Sequence, residues 1–258
     1  MDDYDCFSFQ DVVQEYPTMK QRNLLDVLSK MVSKGMLIKL SKGLYHIVPQ
    51  SADPEHYIPD WHLVAKYLMR GKKYYIGYYS AMQVHGLITQ PSLKEIVVIR
   101  HRVNPPKKII QGIEFQFITH VMTRFFGYKK TWINSYEKVM VSDLEKTIVD
   151  AVTKPHLCDG VIEVAKAIYE TRNKIKLERL FDYLIQNESK AAIKRYLFLY
   201  DLIGLEWTAH HEGMLKLRNV GEGFPLLDTS ASDEGRKNHR FGLKINVDTE
   251  TIKNSLYT

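Results

Sequence analysis

The sequence predicts an α+β protein in two parts: a small module over residues 1–50, two helices followed by a β-hairpin, and a larger mixed α+β domain over residues 60–258. Helical periodicity gives way to β character after Gly35. A linker holding three prolines, PQSADPEHYIPD at residues 49–60, follows that change. Beyond it, β-branched runs mix with amphipathic stretches until the chain turns mostly helical from Val161 to Leu205.

The first helix is expected to start at Ser8, with Asp11 three residues later, and to stop at Pro17. A second and longer one lies in TMKQRNLLDVLSKMVSKG, where Thr18 and Gln21 match a capping box and Gly35 closes the segment. Leu24, Leu25, Leu28, Met31 and Val32 fall on one stripe, and Arg22, Asn23, Asp26, Ser29, Lys30 and Ser33 lie opposite. In MLIKLSKGLYHIVP the residues Ser41, Lys42 and Gly43 form a turn between two short apolar runs. Helix, tight turn, longer helix and basic hairpin make a winged helix-turn-helix. Only seven residues precede Ser8, so the helix that usually leads such a module is either missing or replaced.

In such a module the second helix enters the major groove and its N-terminal half reaches base edges. Arg22 would pair with guanine and Asn23 with adenine, while Lys20, Lys30, Lys39 and Lys42 would neutralise phosphates. Thr18, Ser41 and Tyr45 complete the candidate DNA-binding set. The alternative is a helical hairpin that packs on its own protein or on a partner.

Charge is distributed to suit a polyanion. The net charge is +6, but residues 16–50 carry six basic side chains against one acidic, residues 51–138 thirteen against six, and residues 139–258 seventeen against eighteen. No run of 18 or more apolar residues occurs, and the N-terminus, MDDYDCFSFQ, is acidic where a secretion signal is basic and then apolar. A cytoplasmic protein with no membrane partner is expected. Cys6 and Cys158, far apart and outside any C-x-x-C pattern, support neither a disulfide framework nor a zinc site. Neither G-x-x-x-x-G-K-[ST] nor G-x-G-x-x-G is present, so nucleotide binding has no support in the sequence, and no cofactor is expected.

In the second part, Asp60 can cap a helix through WHLVAKYLMRG. The stretch YYSAMQVHGL, left through Gln90 and Pro91, puts Ser80, Gln83 and His85 within six positions. Ser80 and His85 are five apart, however, so on a helix they diverge, and a capped helix ended by Gly86 is the expectation rather than a nucleophile and its base. Strands are expected at KEIVVIRH, IEFQFITH and EKVMV. Around them Arg100, Arg102, Lys107, Lys108, Arg124, Lys129 and Lys130 make a basic face, either a second nucleic-acid contact or a solvated surface. A third capping box, Ser142 with Glu145, opens SDLEKTIVDAV; Glu145 and Asp150 are again five apart and do not pair as catalytic carboxylates on one face. His210, His211 and Glu212 are expected in a surface loop, and the tail to end in a strand.

Several of these segments together resemble one family. YYIGYYSAMQVHGLITQP, KVMVSDLEKTIVDAV followed by a proline and DGVIEVAKAI, LSKGLYHI of the hairpin, and the closing PLLD with RFGLKINVD stand in the order seen in the AbiEi antitoxins of type IV toxin-antitoxin systems, predicted regulators of viral (phage) defence by abortive infection. The family often has two glycines where this chain has Asp159 and Gly160. The resemblance implies an N-terminal winged-helix DNA-binding domain and a C-terminal antitoxin domain. It further implies repression of its own operon through operator DNA upstream of its own gene, and a cognate nucleotidyltransferase-type toxin as partner, contacted directly or indirectly. On that reading Ser80, Gln83, His85 and Gly86 are framework and the protein is not an enzyme. The alternatives are a pure protein-interaction module, or an enzyme modifying the toxin or a nucleic acid with Glu145, Asp150 or His85.

Overall fold

The protein is described by a computed structural model over residues 6–88, 90, 92–217 and 223–257, so the first five residues of the front module and Pro91 lie outside the described residues. Strand β1 (Cys6–Ser8) leads into α1 (Phe9–Glu15), followed by α2 (Gln21–Ser33), β2 (Leu37–Ser41) and β3 (Leu44–Ile47). The first capping box forms as expected: the Asp11 amide donates to Ser8 Oγ at 3.2 Å and the Ser8 amide to the Asp11 carboxylate at 2.7 Å. The second does not. Lys20 is the N-cap of α2 and no side chain caps it, because the chain between α1 and α2 turns through Thr18 and only becomes helical at Gln21. Gly35 and Gly43 close the following turns at φ of +70° and +71°, where a Cβ would be strained.

The front sheet runs β1-β3-β2, antiparallel throughout. Its strands alternate between two apolar layers. Leu37 and Tyr45 face α1 and α2, where Leu28 is buried, while Ile38, Leu40 and Leu44 face the other way. Tyr45 thus belongs to the core: it is buried and stacks on Phe7 at 5.6 Å, so it is withdrawn from the expected DNA-contacting set. Leu25 is the converse correction; it is 46% exposed, because the buried strip of α2 is narrower than its apolar stripe.

After the linker come α3 (Trp61–Leu68), β4 (Tyr74–Ile76), α4 (Tyr78–Val84), β5 (Lys94–Ile99), β6 (Lys107–Ile110), β7 (Ile113–Thr119), β8 (Tyr128–Trp132) and β9 (Lys138–Ser142). Six of these elements form a mixed sheet of order β6-β7-β5-β4-β9-β8. Its central strand β5 is apolar on both faces: Val97 and Ile99 share a core with α3 and with Ile38, Leu40 and Leu44 of the front sheet, whereas Ile96 and Val98 face a helical layer. That layer holds α5 (Leu144–Thr153), α6 (Val161–Thr171), α7 (Leu177–Gln186), α8 (Lys190–Leu202) and α9 (Ala209–Leu217). A small hairpin of β10 (Arg236–Asn238) and β11 (Leu243–Ile245) and a last helix, α10 (Thr249–Asn254), close it. The architecture is mixed α+β.

Three local expectations change here. α4 begins after Gly77 with no side-chain cap, although Gly86 ends the turn at φ +66° as expected. Asp143, not Ser142, caps α5 by accepting from the Lys146 amide at 2.8 Å, and Glu145 instead accepts from the Lys176 amide at the start of α7, at 2.9 Å. His211 is on α9 rather than in a loop, wholly buried, with Tyr200 stacked on its ring at 4.1 Å and Thr208 donating its amide to Nδ1 at 3.1 Å. Burial pushes the His211 imidazole down to about 4.

Three segments far apart in the chain, DGVIEVAKAI, PLLD and RFGLKINVD, meet in space. Asp228 of PLLD accepts from the Val161 amide at 2.9 Å and so satisfies one of the free amides at the start of α6. Asn246 of RFGLKINVD holds the Asp228 backbone from both sides, with bonds of 3.0 and 2.7 Å. Burial raises the Asp228 carboxyl, but hydrogen bonds from Ser230 and Val161 outweigh it and leave the group below its ordinary range. Asp159 takes the left-handed conformation at φ +60° immediately before Gly160 at φ +93°. A side chain at 160 would meet the Asp228 carboxylate at 3.0 Å, which explains why glycine stands there.

Candidate nucleic-acid interface

The solvent face of α2 carries Arg22, Asn23, Asp26, Ser29, Lys30 and Ser33, all exposed, and Thr18 and Lys20 are exposed just ahead of it. The turn of the β2–β3 hairpin adds Lys42, exposed, and Ser41, half-buried; Lys39 projects from β2 between buried Ile38 and Leu40. Eight of the nine expected contact residues are therefore accessible on the front module, Tyr45 being the exception.

The expected second basic surface divides. Lys107 and Lys108 lie on β6, one edge of the six-stranded sheet, whereas Lys129 and Lys130 are exposed on β8, the opposite edge. At one strand spacing per step the two edges are about 24 Å apart. Arg100 and Arg102 lie in the segment between β5 and β6, half-buried and exposed respectively. Of these groups Lys108 meets the hairpin. Lys108 donates to the Leu40 carbonyl of β2 at 2.5 Å, and a cleft of about 430 Å³ runs between Ile38–Lys42 and Lys108–Gln111. Partial burial lowers the Lys108 ammonium from its ordinary value. Lys107 is paired with Glu114 at 3.0 Å and is the less available of the two.

The groups considered for catalysis are each engaged in the framework. Ser80 receives the Ile96 amide at 2.8 Å, and His85 Nε2 donates to the Ser142 carbonyl at 2.8 Å, so the two hold different strands. Burial lowers the His85 imidazole. Asp150 is 1% exposed and bound to Lys146, 0% exposed, at 2.5 Å. Its other oxygen receives Tyr75 Oη at 3.1 Å, which in turn lies 3.1 Å from His120 Nδ1, and Tyr78 Oη lies 2.7 Å from His120 Nε2. Burial pushes His120 down to about 4, so this chain of bonds surrounds a neutral imidazole. Among the described residues no group of three or more His, Cys, Asp or Glu side chains is placed to hold a metal ion, and no helix is long and apolar enough to cross a membrane.

One further site leaves no mark in the sequence. A pocket of about 540 Å³ opens between α3, α4 and the β8 end, lined by Ile58–His62, Gln83, Val84, Trp132 and Ile133. His62 is fixed by Glu95, whose two oxygens lie 3.0 and 3.1 Å from Nδ1; burial pulls the imidazole down, but the Glu95 carboxylate outweighs this and raises it. Trp61 Nε1, Gln83 Oε1 and Thr131 Oγ1 are buried there or beside it without a hydrogen-bond partner. A buried polar atom left unpaired costs about 1–3 kcal/mol.

No family model and no curated sequence matches the chain. Among solved structures, the crystal structure of the RV2827C protein from Mycobacterium tuberculosis is similar, with a TM-score of 0.67 at 15% identity, over 93% of this chain and 86% of that one. At that identity the likeness concerns the fold alone.

Proposed function

We propose that the chain is an antitoxin and transcriptional autorepressor of the AbiEi kind, which binds operator DNA upstream of its own gene through a winged helix-turn-helix at residues 1–50 and counteracts a nucleotidyltransferase-type toxin through residues 60–258. The observation that carries the DNA half is the joint exposure of the polar face of α2 and the lysine-bearing hairpin on one small module. A thirteen-residue helix with Arg22 and Asn23 in its first turn fits the major groove, and the hairpin turn at Lys42 fits the adjacent backbone. Lys108 ties that hairpin to the large sheet, so the wing is held as a lever rather than left as a free arm. Binding rather than catalysis suits the other half, because Ser80, His85, Glu145 and Asp150 all spend their polar atoms on neighbouring strands and helices.

Alanine at Arg22 or Asn23 is expected to relax sequence preference, at about 1–3 kcal/mol of discrimination for each base edge no longer read. Alanine at Lys39 or Lys42 is expected to weaken binding to every duplex alike and to lower the salt slope by about one for each phosphate no longer neutralised. Competition titrations with operator and scrambled duplexes read both effects. Identical behaviour of the two classes of variant would remove the groove assignment.

A further inference from the structure

We propose that the pocket between α3, α4 and β8 binds the base of a free nucleoside or nucleotide, with Gln83 reading its edge and Trp132 stacking on its face. The pocket draws on neither α2 nor the hairpin, so it is separate from the duplex-binding surface. Its volume, about 540 Å³, is in the range of small-molecule sites.

The lining has the chemistry that reads a flat heterocycle. Gln83 offers an amide donor and acceptor side by side, the pairing that matches a base edge bidentately. Trp132 is 58% exposed, and Lys138 covers one side of its ring at 4.0 Å, which leaves the other for a stacked base. Trp61 adds an indole N–H.

What distinguishes this cavity from an ordinary surface hollow is the state of those groups. Trp61 Nε1 and Gln83 Oε1 are a donor and an acceptor, each buried without a partner, and both residues line the same pocket. Buried polar groups are nearly always paired, and both atoms lie beneath the open surface of the pocket, out of reach of solvent, so a ligand completes their bonds only once these side chains turn outward. Both residues are only half-buried, and the Gln83 side chain can rotate its amide toward the opening. The proposal also gives Gln83, which otherwise has no evident task in the YYSAMQVHGL stretch, a reason to be glutamine.

The three tryptophans, at 61, 132 and 207, give three indole N–H resonances that a Trp→Phe series assigns. Adenosine, guanosine, cytidine and uridine would each be titrated into the full-length protein while these resonances are followed. The expected result is a saturable shift of the Trp61 and Trp132 signals with at least one nucleoside, an unmoved Trp207 signal, and a loss of affinity of about tenfold or more in Gln83→Leu. Trp132→Ala, a change at an exposed position, should weaken binding as well, and the Trp207 signal reports whether each variant is folded. The absence of saturation with all four nucleosides, or affinity that survives both substitutions, overturns the proposal. Neither outcome bears on duplex binding, which these substitutions leave in place.

Discussion

Replacing Asp150 with asparagine is expected to cost about 3–5 kcal/mol of stability, the cost of breaking a buried ion pair from one side. The substitution keeps the shape but leaves the Lys146 ammonium, which is 0% exposed, without its counter-charge. The ammonium also sits 4.5 Å from the centre of the Phe126 ring, too weak a partner to replace a carboxylate. Asp150 further terminates the chain of bonds through Tyr75 and His120 to Tyr78, which joins β4, α4 and the segment after β7 to α5. The double variant Lys146→Met with Asp150→Leu is expected to recover much of the loss, because it removes both desolvated charges together. Urea unfolding measures both. An Asp150→Asn variant within about 1 kcal/mol of the parent, or a double variant no better than the single one, would show that the pair does not matter in the way described.

A second large effect is expected at Arg195. Its guanidinium donates to the carbonyls of Val152 and Thr153 at 3.0 and 3.1 Å, and to Leu226 at 2.9 Å. It therefore closes the C-terminal end of α5, where carbonyls lack helical partners, and ties the PLLD segment to the helical layer. Burial lowers its pKa to about 10, which still leaves it charged at neutral pH. Arg195→Met keeps the apolar stem but leaves three acceptors short of a donor, at a loss of about 3 kcal/mol or more. Arg195→Lys should restore only part, because an ammonium cannot span three carbonyls as a planar fork does. If the urea midpoints of the Met and Lys variants match that of the parent, the guanidinium is not the clasp proposed.

The parts of the fold that could be read in the sequence are those set by local chemistry. Ser8 with Asp11 and Asp60 with the amides of His62 and Leu63 are short-range bonds whose partners lie within three residues. The Thr18–Gln21 and Ser142–Glu145 patterns look the same in one dimension but fail in three. Glu145 is drawn away to the Lys176 amide, a tertiary bond that no local pattern encodes, and Asp143 takes over its helix. Strands β6 and β8 escaped notice for another reason: KKII and YKKTW are edge strands with outward lysines, which protect an open edge but blur the alternation that marks a strand. The buried position of Tyr45 was hidden because LYHI is apolar on both faces of the front sheet, while His211 was hidden because its aromatic surroundings come from α7, α8 and Trp207.

For the candidate interface, the polar face of α2 follows from helical periodicity alone, and the exposed lysines of the hairpin from alternation. The division of the basic residues between opposite sheet edges does not, since strand order is a long-range property. The pocket at Trp61, Gln83 and Trp132 is equally illegible: its residues are 71 positions apart at the extremes, and nothing in their spacing brings them together.

Whether the front module reads operator DNA is decided most directly by titrating the purified protein against the duplex upstream of its own gene and against a scrambled duplex, at several salt concentrations. Tight binding to the native duplex alone is expected, with an affinity that falls steeply as salt rises. Equal and weak binding to both duplexes would contradict the repressor reading.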